Sequence, residues 1–187
     1  MNYTEAAALL RGQDHILILT HKRPVGDTIG CAAALCQALR EQGKDAAILP
    51  NEDATTLFTP YLEGYLAGED FQPAFVVSVD IAGRQLFTPA GEAWLHRGID
   101  LAIDHHPSYE GFAAQSCVDP SRAACGELVY DLILQWGPVS KEAALPLYVA
   151  VSTDTGCFVY NNTTPETHRV AADLMALGID FQGVNKR

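Results

Sequence analysis

Acidic and histidine side chains directly follow several of the most apolar segments of this chain. The clearest case is the triplet Asp104-His105-His106, which comes after the run GIDLAI. The other groups in such a position are His21 and Asp27 after HILILT, Asp80 at the end of FVVSVD, and Asp154 after LPLYVAVST. Carboxylates and imidazoles are costly to bury unless they bind something charged. Together they form a ligand set for one or two divalent metal ions.

An alternation of strands and helices is predicted to position these groups. Apolar runs predict strands at 15–20, 45–49, 75–80 and 100–104, with a candidate fifth at 113–118. Helical patterns occur in TEAAALL near the start and at 27–42, 89–97, 125–136, 141–153 and 165–178. This alternation predicts an α/β fold with a mostly parallel sheet, doubly wound with helices on both faces. Parallel strands end at one edge of the sheet, so the groups that follow them are expected to meet there.

Composition and charge narrow the function classes. The chain of 187 residues fits one domain, and its 48% hydrophobic content is sufficient for a core. The formal charge of −11 argues against a broad basic surface for duplex DNA, but allows a short nucleotide held by bound metal. The five cysteines form no CxxC pair, and no apolar run approaches the ~20 residues that cross a bilayer. We therefore expect a cytoplasmic protein with reduced thiols and no membrane partner.

Each candidate ligand also has a commonplace explanation. A histidine or aspartate near a turn is usually a helix cap or a solvated side chain, and His15, His96 and His168 are interpreted in this way. Asp80 and Asp154, taken alone, could also be helix caps. The repeated placement of metal-compatible groups at the ends of separate elements favours a shared site.

The motifs that carry these groups resemble a known superfamily in order and spacing. The strings are HKRPVGDTIGCA, VSVDIAGRQL, AIDHHP, ACGELVYDLI and STDTGCFVYNNTTPETHRVAADLMALG. They resemble the DHH phosphoesterase superfamily over nearly the whole chain. The TDTG motif, followed by an aromatic residue and NTT, is more similar to the bacterial oligoribonuclease (nano-RNase) and 3′-phosphoadenosine-5′-phosphate phosphatase branch than to family II inorganic pyrophosphatases.

The resemblance implies a role for each motif residue. It implies metal ligands at His21, Asp27, Asp80, His105 and Asp154, with Asp80 bridging two ions, His21 on the first, and the other three on the second. It also implies two catalytic positions: His106 faces the substrate phosphate, and Asp104 orients the histidines. Mixed His/Asp ligation favours Mn²⁺, with Mg²⁺ next.

One departure from the family pattern concerns the first metal. The first motif of the family reads His-x-x-Pro-Asp-Gly-Asp, and Val25 stands here in place of the first Asp. Valine offers no lone pair, so the hypothesis is a weak or empty first site and reduced activity. Gly83 is a smaller departure of no evident effect. Arg84 and Arg122 are candidate phosphate contacts, although a solvated surface arginine is the more ordinary interpretation of both.

The resemblance implies that residues 1–187 are the DHH catalytic lobe of a two-lobe enzyme, with the C-terminal substrate-binding lobe absent from this chain. Such a lobe would hydrolyse short oligoribonucleotides, linear dinucleotides or nucleoside 3′,5′-bisphosphates by two-metal water activation. The alternative is an impaired lobe that binds nucleotide or metal without turnover, because of Val25. A dinucleotide-binding oxidoreductase is disfavoured, since RPVGDTIG replaces the GxGxxG turn after the first strand. The oligomeric state stays open, a homodimer included.

Overall fold

Five short strands form a wholly parallel sheet in the computed structural model, which describes residues 1–185. The strands are β1 (Ile16–Leu19), β2 (Ala46–Ile48), β3 (Phe75–Val79), β4 (Leu101–Asp104) and β5 (Gln115–Val118). The helices are α1 (Tyr3–Arg11), α2 (Gly26–Glu41), α3 (Pro89–Arg97), α4 (Cys125–Leu134), α5 (Lys141–Asp154), α6 (Pro165–Ala176) and α7 (Phe181–Asn185). The predicted α/β class and parallel sheet are therefore confirmed.

The strand order places a crevice at one edge of the sheet. The order is β2-β1-β3-β4-β5, so the chain moves from β1 to one side and then crosses back to the other side at β3. At such a reversal, the loops that follow two neighbouring strands diverge and leave a crevice at their carboxyl ends. The segment after β1 and the segment after β3 therefore line a common opening.

Alternate residues of the strands face two different apolar layers. Ile16 and Ile18 pack with the layer that contains α1, α2, α4 and α5, whereas Leu17 and Leu19 pack with the layer beneath α3. The second layer is completed by loop residues such as Phe112 rather than by further helices. Helices on both faces were predicted correctly, but the structure distributes them unevenly.

Helices α2 and α5 approach closely because α2 presents a glycine to α5. A Cβ added at Gly30 would meet the backbone carbonyl oxygen of Pro146 and would lie 2.9 Å from the Cβ of Ala150. This close approach brings the first turn of α2 and the last turn of α5 together. Asp27 and Asp154 belong to those two turns.

The predicted boundaries agree closely with the structure, with three informative differences. Helix α4 ends at Leu134, before the expected residue 136, and α5 continues to Asp154, one residue further than expected. Beyond Gly178, where no helix was predicted, the described residues contain the short helix α7. No helix among residues 1–185 is long and apolar enough to span a membrane.

Candidate metal centre

The side chains predicted to form one site do meet at the carboxyl edge of the sheet. His21 follows β1, Asp80 follows β3, and the Asp104-His105-His106 triplet spans the end of β4. Asp27 lies in the first turn of α2, and Asp154 is the last residue of α5. The backbone of Asp80 has φ 59°, a left-handed conformation that turns the chain sharply after its strand. The ends of three strands and of two helices therefore contribute to one cluster.

One group of three side chains is centred on His105. Its Nε2 lies 3.3 Å from Oδ2 of Asp154 and 3.7 Å from Oδ2 of Asp27. The ligand atoms of these three residues all lie within 4.8 Å of one another. One ion could be shared by all three at this spacing.

Asp80 connects this group to the two remaining histidines. Its Oδ1 lies 3.6 Å from Nε2 of His105 and 3.6 Å from Nδ1 of His106, and its Oδ2 lies 3.7 Å from Nε2 of His21. Asp80, His105 and His106 form a second group whose ligand atoms lie within 4.8 Å. The two oxygens of Asp80 thus face different histidines, as a bridging carboxylate would.

Hydrogen bonds to Nδ1 determine how the histidine rings are oriented. The backbone carbonyl oxygens of Lys22 and Arg122 lie 2.8 Å and 3.0 Å from Nδ1 of His21 and His105 respectively. A carbonyl oxygen can only accept, so both Nδ1 atoms carry the hydrogen and both Nε2 atoms of the neutral rings keep a lone pair. Asp104 was expected to orient the histidines in general. Among the histidines of the described residues, its carboxylate forms a hydrogen bond with His106 alone, at 2.8 Å, whereas backbone carbonyl groups orient His21 and His105.

Burial makes this cluster electrostatically costly. Asp27 and Asp104 are fully buried, Asp80 is nearly so, and within residues 1–185 none of these aspartates, nor Asp154, forms an ion pair with lysine or arginine. Burial, with the neighbouring carboxylates, raises the pKa of Asp80 well above the usual range and that of Asp27 to about 8. The pKa of Asp154 is raised too, chiefly by burial. Burial lowers the pKa of His21, which favours its neutral form.

The same cluster contains polar atoms that the described protein leaves without a hydrogen bond. Oδ1 of Asp80 and Nε2 of His105 are buried atoms of this kind, and they lie 3.6 Å apart. Buried polar atoms are almost always satisfied by protein, water or an ion. A divalent cation would be coordinated by both atoms and would offset the carboxylate repulsion, so the donor set fits such an ion. Oxygen-rich ligation with neutral imidazole suits Mn²⁺ or Mg²⁺.

Asp27 is held in place by the start of a helix that is distant in sequence. Its Oδ2 accepts a hydrogen bond from the backbone N–H of Cys125 at 2.7 Å, and its Oδ1 accepts one from Gly126 at 2.9 Å. These N–H groups belong to the first turn of α4, where the helix dipole favours a negative charge. A Cβ at Gly126 would lie 2.6 Å from the Cβ of Ala150, so glycine permits the close approach of α4 and α5.

A cavity of about 410 Å³ opens over the cluster. It is lined by His21, Lys22, Arg23, Val25, Asp80, Leu86, His106 and Asp154. Sequence reasoning missed Lys22, Arg23 and Leu86. The positions of Lys22 and Arg23 could have been recognised, because both lie between His21 and Pro24 in a motif that the sequence analysis had already assigned to the site. Leu86 ends the second motif, VSVDIAGRQL, but nothing in that string marked it as a cavity residue. In the structure, its carbonyl oxygen accepts a hydrogen bond from the backbone N–H of Lys22 at 2.8 Å.

The two arginines that the sequence suggested as phosphate contacts do not line this cavity. Arg84 is exposed, which agrees with its interpretation as a solvated surface arginine. Arg122 is not a solvated surface residue: it is 16% exposed, and its Nη2 lies 2.6 Å from Oδ2 of Asp131. His15, His96 and His168 also lie outside the cavity lining. Val25 does line it, is 46% exposed, and caps α2 without a side-chain hydrogen bond.

Comparisons with known proteins agree with this architecture. The family model for the DHH family, N-terminal domain, matches residues 15–179. The bifunctional oligoribonuclease and PAP phosphatase NrnA of Thermus thermophilus is 35% identical over 180 residues, covering 92% of this chain and 53% of that protein. The chain thus spans about half the length of the curated relatives it matches.

Two solved structures share the fold. An exopolyphosphatase-related protein from Bacteroides fragilis superposes with a TM-score of 0.84 at 24% identity, covering 97% of this chain and 58% of that one. The exonuclease RecJ, solved bound to manganese, superposes with a TM-score of 0.58 at 17% identity, covering 99% of this chain and 50% of that one. With the match to the family model over most of its length, the chain belongs to the DHH family, and its curated relatives include the NrnA oligoribonuclease and PAP phosphatase branch.

Proposed function

We propose that this chain is the catalytic lobe of a metal-dependent phosphoesterase. The observation that carries the proposal is the convergence of Asp80 and His105, whose buried and unsatisfied ligand atoms lie 3.6 Å apart. A cluster of buried carboxylates without a lysine or arginine partner in the described structure must take up protons or bind a cation, and a divalent cation is the partner that its ligand atoms fit. The names of curated relatives, which include oligoribonuclease and PAP phosphatase, support hydrolysis of a phosphoester as the reaction.

The proposed ligands divide between two positions. Asp27, His105 and Asp154 would hold one ion, and His21 would hold the other, with Asp80 shared between them. Bound divalent ions supply activation of a water nucleophile and neutralisation of the charge on a phosphoryl group. The backbone carbonyl groups of Lys22 and Arg122 accept hydrogen bonds from Nδ1 of His21 and His105. They thereby keep the Nε2 atoms of both rings directed toward the proposed metal positions.

His106 is proposed to act on the substrate rather than on metal. Although Nδ1 of His106 lies 3.6 Å from Oδ1 of Asp80, its hydrogen is donated to Asp104, so this nitrogen has no free lone pair for a metal ion. The ring of His106 lines the cavity. The hydrogen bond to Asp104 raises the pKa of His106, which favours the protonated form of the ring. A protonated His106 would donate a hydrogen bond from Nε2 to a phosphate oxygen or pass a proton to the leaving oxygen.

The proposed substrates are short oligoribonucleotides, linear dinucleotides and nucleoside 3′,5′-bisphosphates. Lys22 and Arg23 in the cavity wall provide the positive charge that phosphate groups need near an acidic cluster. The name of the Thermus thermophilus relative includes both oligoribonuclease and PAP phosphatase activity. The net charge of −11 opposes binding to long duplex DNA. Because the curated relatives are about twice as long, we propose that a second lobe completes substrate binding.

A second candidate function is a lobe that binds metal or nucleotide with little turnover. It is favoured by Val25, which lines the cavity at the position where the family pattern has a carboxylate. With valine there, the first ion would keep only His21 and Asp80 from the protein. The same chain could then bind one ion tightly and the other weakly.

Mn²⁺-dependent hydrolysis of a short RNA and of 3′-phosphoadenosine-5′-phosphate tests both candidates. The unaltered chain is compared with Val25→Asp, which restores a carboxylate, and with Val25→Ser, which supplies a helix cap but a much poorer ligand. Turnover by the unaltered chain supports the enzyme. Turnover that occurs only in Val25→Asp supports the impaired lobe.

Calorimetric titration of the same three proteins with Mn²⁺ measures how many ions each protein binds tightly. We expect one tight ion in the unaltered chain and in Val25→Ser, and two in Val25→Asp. Two tight ions in the unaltered chain would contradict the weak first site. An absence of Mn²⁺ binding in all three would overturn the proposed function.

A further inference from the structure

A single segment of the chain contacts two of the three residues in the group centred on His105, namely His105 itself and Asp27. Residues 119–126, which connect β5 to the first turn of α4, are called here the 119–126 segment. Its backbone supplies the carbonyl group of Arg122 to His105 and the N–H groups of Cys125 and Gly126 to Asp27. The position of this segment therefore affects the distance between His105 and Asp27.

Asn162 links the 119–126 segment to Asp154, the third residue of the group centred on His105. Its side-chain amide Nδ2 donates to the carbonyl oxygen of Ala123 at 3.2 Å and to that of Asp154 at 3.1 Å. An amide NH₂ has two hydrogens, so both are engaged. The carbonyl group of Asp154 lies at the carboxyl end of α5, where helix carbonyls lack intrahelical partners. Asn162 thus joins the end of α5 to the 119–126 segment.

The 119–126 segment is held in place by contacts other than those with Asn162. The side chain of Arg122 bonds Asp131 of α4 at 2.6 Å and Asp119 at 3.4 Å. The N–H group of Asp119 donates to the carbonyl oxygen of Asp104 at 3.1 Å. The segment is therefore held to both α4 and β4, and a change at Asn162 would release only its hydrogen-bonded link to the carbonyl group of Asp154.

We propose that Asn162 is a positioning residue that sets the place of Asp154 relative to His105 and Asp27. The inference rests on the proposed function, because it assigns to these three residues a shared ion. Partners that orient metal ligands typically change metal affinity by about 10–100-fold when they are removed. We expect a loss of about tenfold in Mn²⁺ affinity, since Asn162 acts through the backbone of Asp154 and not on its carboxylate.

The neighbouring Asn161 provides a matched control. It is also exposed, and the described structure gives its side chain no hydrogen bond. The variants Asn162→Ala and Asn162→Asp are compared with Asn161→Ala and Asn161→Asp, so that each pair shares the same loss of an amide or the same added charge. The Mn²⁺ dissociation constant is measured by calorimetry, the thermal midpoint in EDTA is measured separately, and the spectrum of bound Mn²⁺ is recorded by electron paramagnetic resonance.

We expect both Asn162 variants to bind Mn²⁺ about tenfold more weakly than their Asn161 counterparts, with a changed resonance spectrum of the bound ion. A purely structural role would lower the thermal midpoint and leave the affinity and the spectrum as in the controls. That result, or equal affinities throughout, would overturn the inference and leave the proposed function intact. Failure of the unaltered chain to bind Mn²⁺ would instead overturn the proposed function, and the positioning role with it.

Discussion

Replacement of Asp80 by asparagine should make the metal-free protein more stable and the metal-loaded protein less so. Asp80 is only 3% exposed, and its Oδ1 has no hydrogen-bond partner in the described structure. An amide of nearly the same shape removes the buried charge. The left-handed backbone at φ 59° is also tolerated by asparagine better than by most residues. The substitution therefore changes charge with little change in packing or strain.

The size of this effect follows from burial of an unpaired polar group. Leaving such a group unsatisfied costs about 1–3 kcal/mol, and more if it is charged. We therefore expect Asp80→Asn to raise the free energy of unfolding by about 2 kcal/mol in EDTA near neutral pH. For a chain of 187 residues this corresponds to an increase of about 4–8 °C in the thermal midpoint.

The effect should depend on pH in a defined direction. Burial, followed by the charges of Asp27 and Asp154, raises the pKa of Asp80 in the folded state. The folded chain then holds this proton more tightly than the unfolded chain. Stability of the unaltered protein should therefore fall as pH rises above the usual aspartate range. Asp80→Asn lacks this titration, so its advantage should be small near about pH 4.5 and largest at about pH 7.5.

Mn²⁺ should reverse the order of stability. An ion that binds only the folded state adds about 2.7 kcal/mol at a free concentration of about one hundred times its dissociation constant. Asp80→Asn removes the shared ligand, so it should gain little. Urea unfolding followed by circular dichroism, in EDTA and in MnCl₂, measures all four states. A variant that is less stable than the unaltered chain in EDTA at neutral pH, or one that Mn²⁺ stabilises equally, would refute the reasoning.

Two further predictions concern packing and the proposed acid. Gly30→Ala should lower the free energy of unfolding by about 1–3 kcal/mol in thermal or urea melts, because the added Cβ would meet the backbone of α5. Gly68→Ala is the control: a Cβ added at Gly68 would have no atom within 4 Å, so this substitution should have little effect. An unchanged melt for Gly30→Ala would contradict the close approach of α2 and α5. Asp104→Asn should lower the pKa of His106, since the hydrogen bond that Nδ1–H of His106 donates to Asp104 is the largest influence raising that pKa. A proton NMR titration of the metal-free chain measures this pKa, and an unchanged value would show that Asp104 does not control the ring.

The positions of the strands along the chain and the residues of the cluster were predictable because they depend on local patterns. Continuous apolar runs such as FVVSV are typical of strands buried on both faces, and β3 is indeed buried along its whole length. The DHH triplet after β4 and the aspartates after other apolar runs reflect the rule that parallel strands end at the same edge. The resemblance to the DHH family, also visible in the sequence, is confirmed by the match over residues 15–179.

The parts that could not be predicted depend on contacts between distant segments. Nothing local to Asp27 indicates that the N–H groups of Cys125 and Gly126, about a hundred residues away, hold its carboxylate. The contacts of Arg122 could not be predicted from its neighbours in sequence either. Its side chain suggested a phosphate contact, whereas its carbonyl group orients His105 and its guanidinium group pairs with Asp131.

The sequence by itself determined which residue types end each strand, the parallel α/β class, the family, and the missing carboxylate at Val25. Only the tertiary structure decided which atoms of those residues face one another, which stay unsatisfied, and that Lys22 and Arg23 share their cavity. The physical reason is that strand and helix patterns depend on neighbours along the chain, whereas burial of a charge and direction of a hydrogen bond depend on neighbours in space.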